Sequence, residues 1–280
     1  MKLPNLLSPI MLSSAIFSSS LGAAHAHCSR PIIVPVATVG FSVILGNSAN
    51  PSSAQISGVY PDLLRSLPSQ CQFVFSAVPR ARLEAMFEAG KADLLMPASK
   101  TPKRDEFGIF VSLVASRPML ISSDPLKVKV SSLADLIQQK QLRIALVRGF
   151  DYGSAYQDLI KALDKQGRLT YETDALAIGR LMQAGLIDLT IMAPSIFVAG
   201  IDGDPRALGL QEKLRFDALP EFPWGESGIY ISRSAVAKND RQALQDMLQA
   251  AVQSGQAWKA FQKYYPPEVL DGSIRPPETK

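Results

Sequence analysis

A group of hydroxyl and guanidinium side chains follows one apolar run in the first half of the chain. Leu94–Met96 is short enough to be a buried strand, and Ser99, Thr101 and Arg104 come after it. We expect the strand to end at the polar turn that begins with Pro97, because proline cannot donate a hydrogen bond to a sheet. In open α/β sheets, ligands bind at the carboxyl ends of the strands. The pattern therefore predicts a ligand-facing edge here.

The helix and strand that position this edge have a second copy later in the chain. The apolar spacing of Leu83 and Phe87 predicts a helix that ends near Gly90. The sequence MFEAGKADLLMPAS at residues 86–99 is then echoed by LMQAGLIDLTIMAPS at residues 181–195. The copies are too far apart for a solenoid period, so they predict two similarly built lobes. Coincidence is the alternative, since Ala-Gly and strand-to-proline steps are common.

Composition narrows the class of protein. The chain has 280 residues, of which 47% are hydrophobic and 19% charged, which is typical of a globular protein with one large or two medium cores. A net charge of +4 without basic runs does not favour nucleic acid as a partner. The only histidines, His25 and His27, lie near the N-terminus, so we expect neither a Ser-His-Asp triad nor a histidine metal site. We also expect no cofactor, because the sequence has no P-loop.

The first 26 residues have the features of a signal peptide. Lys2 provides a positive start, Met11–Leu21 is a modest apolar core, and Ala24-His25-Ala26 has the form that signal peptidase reads. A membrane anchor is the alternative, but the apolar run is short and serine-rich. Cleavage would leave His27 first in an exported protein.

Two cysteines, Cys28 and Cys71, occur in the whole chain. In an exported protein they favour one disulfide, and two buried thiols are the alternative. Closing this loop would stabilise the fold by roughly 4 kcal/mol at most on the chain-entropy model.

Four segments, taken in order, resemble the family 3 extracellular solute-binding proteins, the periplasmic polar amino-acid type that feeds ABC transporters. The likeness covers about residues 28–265. The matching segments are Gly58–Leu64, the helix-Gly90-x-x-Asp93 unit, Ser99-x-Thr101-x-x-Arg104 and Gly228–Arg233.

This resemblance implies an α/β architecture. The expected fold is the two-lobed periplasmic binding protein fold of type II, with two mixed sheets flanked by helices and a hinge of two crossings. The implied boundaries are a signal peptide (1–26), a first lobe (27–116 and 223–265), a second lobe (117–222) and a loose C-terminal tail (266–280).

The implied function is capture of a small polar solute, an amino acid or a related carboxylate, between two closing lobes in the periplasm. Arg104 would clamp the carboxylate in two hydrogen bonds and Ser99 would add a hydroxyl bond. The alternative for Arg104 is a surface ion pair with Asp105 or Glu106. The closed, monomeric protein would dock on the membrane permease of an ABC importer. The alternatives are a periplasmic enzyme similar to cyclohexadienyl dehydratase and a ligand-sensing input for a receptor.

Two further residues of the first lobe are candidate ligand contacts. Phe41 follows an apolar run, and ordinary core packing is its alternative. Arg80 falls where the similar amino-acid binders carry an aromatic residue that stacks on the ligand. An arginine there favours an anionic or planar group, and a solvated basic side chain is the alternative.

The second lobe departs from the family pattern at two places. Phe150 and Asp151 occupy the turn where amino-acid binders carry small hydroxyl residues, and Tyr152 follows them. The acidic residue that holds the α-ammonium in those binders corresponds to Ala193 here. We expect Asp151 to replace it, with an N-cap role for Asp151 as the alternative. If the protein is instead an enzyme, Asp151 would act as a general acid in the closed cleft.

Overall fold

The computed structural model describes residues 27–46, 55–68, 71–126 and 128–278, with Arg80 and Ala81 described by their backbone alone. The predicted signal peptide, residues 1–26, lies outside the described part. Among the described helices, none combines the length and the apolar character that crossing a bilayer requires.

Strands and helices alternate along most of the chain. The strands are β1 (Ile32–Val36), β2 (Ile44–Leu45), β3 (Ile56–Ser57), β4 (Phe73–Ala77), β5 (Leu94–Ser99), β6 (Gly108–Ser116), β7 (Met119–Ser122), β8 (Ile144–Val147), β9 (Leu169–Glu172), β10 (Leu189–Met192), β11 (Arg215–Asp217), β12 (Gly225–Ser232) and β13 (Ile274–Arg275). The helices are α1 (Val59–Ser66), α2 (Arg80–Glu88), α3 (Pro102–Phe107), α4 (Leu133–Gln138), α5 (Ser154–Asp164), α6 (Ala175–Gln183), α7 (Pro194–Ile201), α8 (Lys238–Gln253), α9 (Gln256–Tyr264) and α10 (Pro267–Leu270).

The described strands form four sheets, of which only the five-stranded sheet of the second lobe is mixed. The expectation of a mixed main sheet in the first lobe is wrong, because β5, β6, β12 and β13 are all antiparallel to their neighbours and β2 pairs separately with β3. The first lobe contains a four-stranded sheet in the order β13-β6-β12-β5, beside which β1 and β4 pair in parallel. The second lobe contains a five-stranded sheet in the order β11-β7-β10-β8-β9. The chain crosses between the lobes after β6 and again before β12, as the predicted hinge of two crossings requires. The residue boundaries given above for the lobes stay a prediction.

The second-lobe sheet is covered on both faces, which explains why its strands are continuously apolar. Ile144 and Leu146 of β8 face the apolar residues of α4 and α5, whereas the alternate residue Val147 packs on the side of α6 and α7. Because successive side chains point to opposite faces, both sets are buried.

The repeated helix-to-strand unit builds the same contact in both lobes. Asp93 accepts hydrogen bonds from both terminal nitrogens of Arg30 and from the backbone of Ile33, each at 2.7 Å. Asp188 accepts from the backbone of Arg143 at 2.7 Å and from its Nη2 at 2.8 Å. Each arginine comes directly before or close to the start of the neighbouring strand, so each aspartate fastens its strand to that neighbour.

The first-lobe strand that leads to the site is longer than predicted. β5 continues through Pro97 to Ser99, so the expectation that it ends at Pro97 is wrong. Its pairing with β12 is irregular between Gly228 and Tyr230, opposite Met96 and Pro97. A bulge tolerates proline, because the residue that lacks an N–H is left out of the regular ladder.

Both ends of the described chain are attached to the first lobe. Cys28 and Cys71 form the predicted disulfide, with Cα atoms 4.8 Å apart. The C-terminal segment does not form the predicted loose tail. Val269 and Leu270 of α10 are buried, and β13 pairs with β6. Burial of the apolar side chains of α10 and pairing of β13 hold this segment on the lobe. Both elements are too short to be predicted from sequence periodicity.

Candidate functional site

A cavity of about 250 Å³ lies between the lobes, at the hinge. Both lobes and both crossings contribute to it. Its lining residues are Ser99, Lys100, Gly225 and Glu226 of the first lobe, Ser116, Arg117, Pro118 and Pro223 at the crossings, and Asp151, Tyr152 and Ala193 of the second lobe. Of the predicted ligand contacts, the cavity brings together Ser99, Asp151 and Tyr152.

Asp151 is the carboxylate of the second-lobe wall. It lies in the turn between β8 and α5, where Gly149 and Gly153 adopt positive φ values of 81° and 95°. Its Oδ1 accepts the N–H of Gly153 at 2.9 Å. Hydrogen bonding from the Gln157 side chain, and then from Gly153, lowers the pKa of Asp151. The N-cap of α5 is Gly153 and not Asp151, so the N-cap alternative is wrong. An exposed, ionised carboxylate therefore faces the cavity at neutral pH.

Tyr152 adds an aromatic side chain to the second-lobe wall of the cavity. Its ring lies edge-on to Phe150 and Tyr156, with centroids 6.1 and 5.1 Å apart. Burial raises the pKa of its phenol, which stays protonated at neutral pH. The hydroxyl lies near the backbone of Ala193, but no described group meets hydrogen-bonding geometry with it.

The first-lobe wall carries a pair of opposite charges that the sequence analysis did not single out. Nζ of Lys100 lies 3.5 Å from a carboxylate oxygen of Glu226, and each side chain is almost half exposed. The backbone of Lys100 also donates to the carbonyl of Glu226 at 3.2 Å. In the sequence, only its position next to Ser99 pointed to Lys100. No sequence pattern pointed to Glu226.

Arg104 adjoins the cavity but does not line it. Its Nη1 donates to the carbonyl oxygen of Ser99 at 2.7 Å, and its Nε and Nη2 donate to the two carboxylate oxygens of Glu84. The partner is therefore Glu84 and neither Asp105 nor Glu106. The predicted clamping of a ligand carboxylate by Arg104 stays a prediction.

The Thr101 side chain is engaged in a hydrogen bond within the protein. Its Oγ1 accepts the N–H of Arg104 at 3.3 Å and caps α3. It does not line the cavity, and a ligand contact by Thr101 stays a prediction.

Solved structures share this architecture at low sequence identity. The second substrate binding domain of a putative amino acid ABC transporter from Streptococcus pneumoniae is 18% identical, with a TM-score of 0.60 over 84% of this chain and 99% of that chain. An ancestral cationic amino acid solute binding protein is 16% identical, with a TM-score of 0.61 over 84% and 95%. The chain has the periplasmic binding protein fold.

A sensor shares the binding protein fold as well. A histidine kinase sensor domain with similarity to periplasmic binding proteins is 15% identical, with a TM-score of 0.57 over 85% of this chain and 96% of that chain. No protein-family model matches the sequence, and neither does any curated protein.

Phe41 does not line the cavity of this binding protein fold, and a ligand contact by Arg80 stays a prediction. Phe41 packs on Tyr265, with ring centroids 5.5 Å apart, as the core-packing alternative predicts. The backbone of Arg80 begins α2, and its side chain is outside the described part of the structure.

The hinge of the binding protein fold is fastened to the C-terminal segment. The guanidinium carbons of Arg117 and Arg275 stack on the indole of Trp224, at 4.6 and 4.3 Å from the ring centroid. Nε of Arg117 also donates to the carbonyl of Gly272 at 2.6 Å.

The described residues contain no cluster of three or more metal-ligating side chains.

Proposed function

We propose that the chain is an exported solute-binding protein that captures a small polar solute, an amino acid or a related carboxylate, between its two lobes. The observation that carries the proposal is the inter-lobe cavity, to which both lobes and both hinge crossings contribute. Residues on opposite walls approach each other when such a hinge closes, so closure would complete the ligand contacts.

The charges of the cavity support a ligand with both an ammonium and an anionic group. In this proposal ionised Asp151 holds the ammonium, which is the role that Ala193 cannot perform. Lys100 faces the same space from the first lobe, where it shares its charge with Glu226. Ser99 adds a hydroxyl group, and Tyr152 adds an aromatic ring whose hydroxyl is buried. Charge-assisted hydrogen bonds of this type orient small ligands in otherwise apolar pockets.

We favour transport as the biological role of this solute binding. The closed, monomeric protein would reach the periplasm through cleavage of residues 1–26 and dock on the permease of an ABC importer. Structures with the same fold include substrate-binding proteins of amino acid ABC transporters, which supports this assignment. A sensory role is the second candidate, because a histidine kinase sensor domain also shares the fold.

A periplasmic enzyme is less well supported. The enzyme reading needs Asp151 as a general acid, and a general acid needs a raised pKa to keep its proton. The pKa of Asp151 is instead lowered, so the residue has no proton to donate at neutral pH.

Thermal unfolding against a panel of amino acids, opines, polyamines and organic acids tests the proposal. A solute present at about 100 times its dissociation constant stabilises the protein by roughly 2.7 kcal/mol and raises the unfolding temperature. We expect Ala193→Trp, which fills the cavity, to abolish this rise. Ala250→Trp is the matched control, because Ala250 is exposed on α8 and does not line the cavity. A solute whose effect survives Ala193→Trp, or a panel without any effect, would contradict the proposal.

A further inference from the structure

Two ion pairs connect α2 and α3 beside the cavity. Glu84 pairs with Arg104, and Glu88, one helical turn later on α2, pairs with Lys103 at 2.5 Å. The two pairs join the same helices and have the same signs of charge. The two pairs differ in the surroundings of the positively charged residue. Arg104 also donates a hydrogen bond to the carbonyl of Ser99, which lines the cavity.

Three of the five N–H donors of the Arg104 guanidinium are engaged in this structure, and they include both donors of the Nε–Nη2 edge. Nη1 is bonded to Ser99, while Nε and Nη2 form a two-point contact with Glu84. A carboxylate binds a guanidinium most strongly through this two-point geometry. Glu84 therefore occupies the Nε–Nη2 edge, and a ligand carboxylate that binds Arg104 through this edge has to displace Glu84.

Exposure shows that this contact can be exchanged. The Glu84 side chain is 42% exposed, so its carboxylate can turn to water without being buried unpaired. Arg104 is less exposed, at 24%, and remains fixed through Ser99. A ligand carboxylate at Arg104 would thus replace one carboxylate with another, and most of the gain from forming the new pair would be cancelled.

We propose that Glu84 is a specificity-determining residue, an internal competitor that lowers the affinity of the cleft for solutes presenting a carboxylate to Arg104. The inference rests on the proposed function, because it concerns the ligand of the same cleft. Solutes that rely on the ammonium contact with Asp151 and present no carboxylate to Arg104 do not compete with Glu84. The Glu84–Arg104 pair therefore shifts selectivity from amino acids toward the corresponding amines.

The experiment compares each common amino acid with its decarboxylated amine, by calorimetric titration of the exported protein purified from the periplasm of an expression host. We expect Glu84→Gln to raise the affinity for amino acids by about fivefold, the size expected for losing one partly exposed competing ion pair, and to leave the amines unchanged. Glu88→Gln is the matched control and should change neither series, because its partner Lys103, unlike Arg104, has no hydrogen bond to a cavity residue among the described contacts. Glu84→Ala should act like Glu84→Gln, and unfolding of each variant without solute checks its fold.

Three results would overturn the inference. An unchanged ratio of amino-acid to amine affinity in Glu84→Gln would show that Glu84 only tethers the helices. A fall in amino-acid affinity would show that Glu84 holds Arg104 in place for the ligand. If the wild type and both Glu84 variants bind no member of either series, the inference fails. The proposed function stands or fails separately, on whether another solute of the larger panel binds in the cavity.

Discussion

The two copies of the helix-to-strand unit share a framework and differ in their chemistry. In both lobes the aspartate of the unit binds an arginine next to the neighbouring strand, but the Asp93 side chain is 3% exposed and the Asp188 side chain is 28% exposed. The fastening contact is therefore the same, although only the first-lobe aspartate is buried, and its partner Arg30 is 43% exposed. Repetition of the unit explains why both lobes present strand ends to one cleft.

Beyond the strand, the two copies diverge. β5 leads into Ser99, Lys100 and a capped turn that ends at Arg104, whereas β10 is followed directly by Ala193 and α7. The carboxylate of the second lobe comes from Asp151, after the adjacent strand β8. The comparison teaches that the repeated unit places the edge of each sheet, while the residues after the strand decide what that edge can bind.

The largest effect is expected from breaking the buried copy of the contact. Asp93→Asn removes a buried carboxylate that accepts hydrogen bonds from Arg30 and from the backbone of Ile33. Hydrogen bonds to charged groups contribute about 1.5–3 kcal/mol each, so we expect a loss of about 2 kcal/mol or more of unfolding free energy. Urea denaturation measures the change. A loss below about 1 kcal/mol would show that burial adds nothing to this contact.

The next effect concerns binding. Asp151→Asn removes the only carboxylate of the second-lobe wall among the residues that line the cavity. A hydrogen bond to a charged group contributes about 1.5–3 kcal/mol, so we expect at least a tenfold loss of affinity for ammonium-bearing solutes. Asp158→Asn on α5 is the control, because Asp158 is exposed and lies outside the cavity. Titration calorimetry distinguishes the two variants, and equal affinities would remove Asp151 from the site.

A smaller loss is expected from the exposed copy. Asp188→Asn should cost about 1 kcal/mol or less, because partly exposed ion pairs contribute little. The same urea series gives the value. If Asp188→Asn were as damaging as Asp93→Asn, exposure would not explain the difference between the lobes.

The smallest effect is that of pH on the ammonium contact. The pKa of Asp151 lies below its usual value of 3.8, and the ionised form, which binds the ammonium, predominates above that pKa. Affinity for an ammonium-bearing solute should therefore stay constant from pH 7 to about pH 4 and decline only below. Titrations at several pH values test this, and a decline centred between pH 5 and 6 would contradict it.

Local patterns in the sequence were sufficient for the framework. The two cysteines predicted the disulfide, the left-handed Gly90 ends the helix region before β5, and the two copies of the unit predicted two lobes. Ser99 was singled out because it follows an apolar run, and Asp151 because the family resemblance places it in a ligand-binding turn and leaves Ala193 without an acidic side chain. These signals work because each depends on neighbours within a few residues.

Contacts between distant elements could not be predicted in this way. Glu84 reaches Arg104 only because of the relative rotation of α2 and α3, and Lys100 meets Glu226 only through the register of β5 and β12. The extension of β5 through Pro97 depends on a bulge in that register. α10 and β13 are too short for periodicity, so their packing was also missed.

The most direct test is a crystal structure of residues 27–280 with the panel solute that raises the unfolding temperature most. The larger groove of about 680 Å³ beside Trp224 and Trp258 is the competing location. We predict electron density for the solute between Ser99 and Asp151, with its ammonium on the Asp151 carboxylate. Density in the tryptophan-lined groove, with the inter-lobe cavity empty, would contradict the central claim that the chain captures its solute between the lobes.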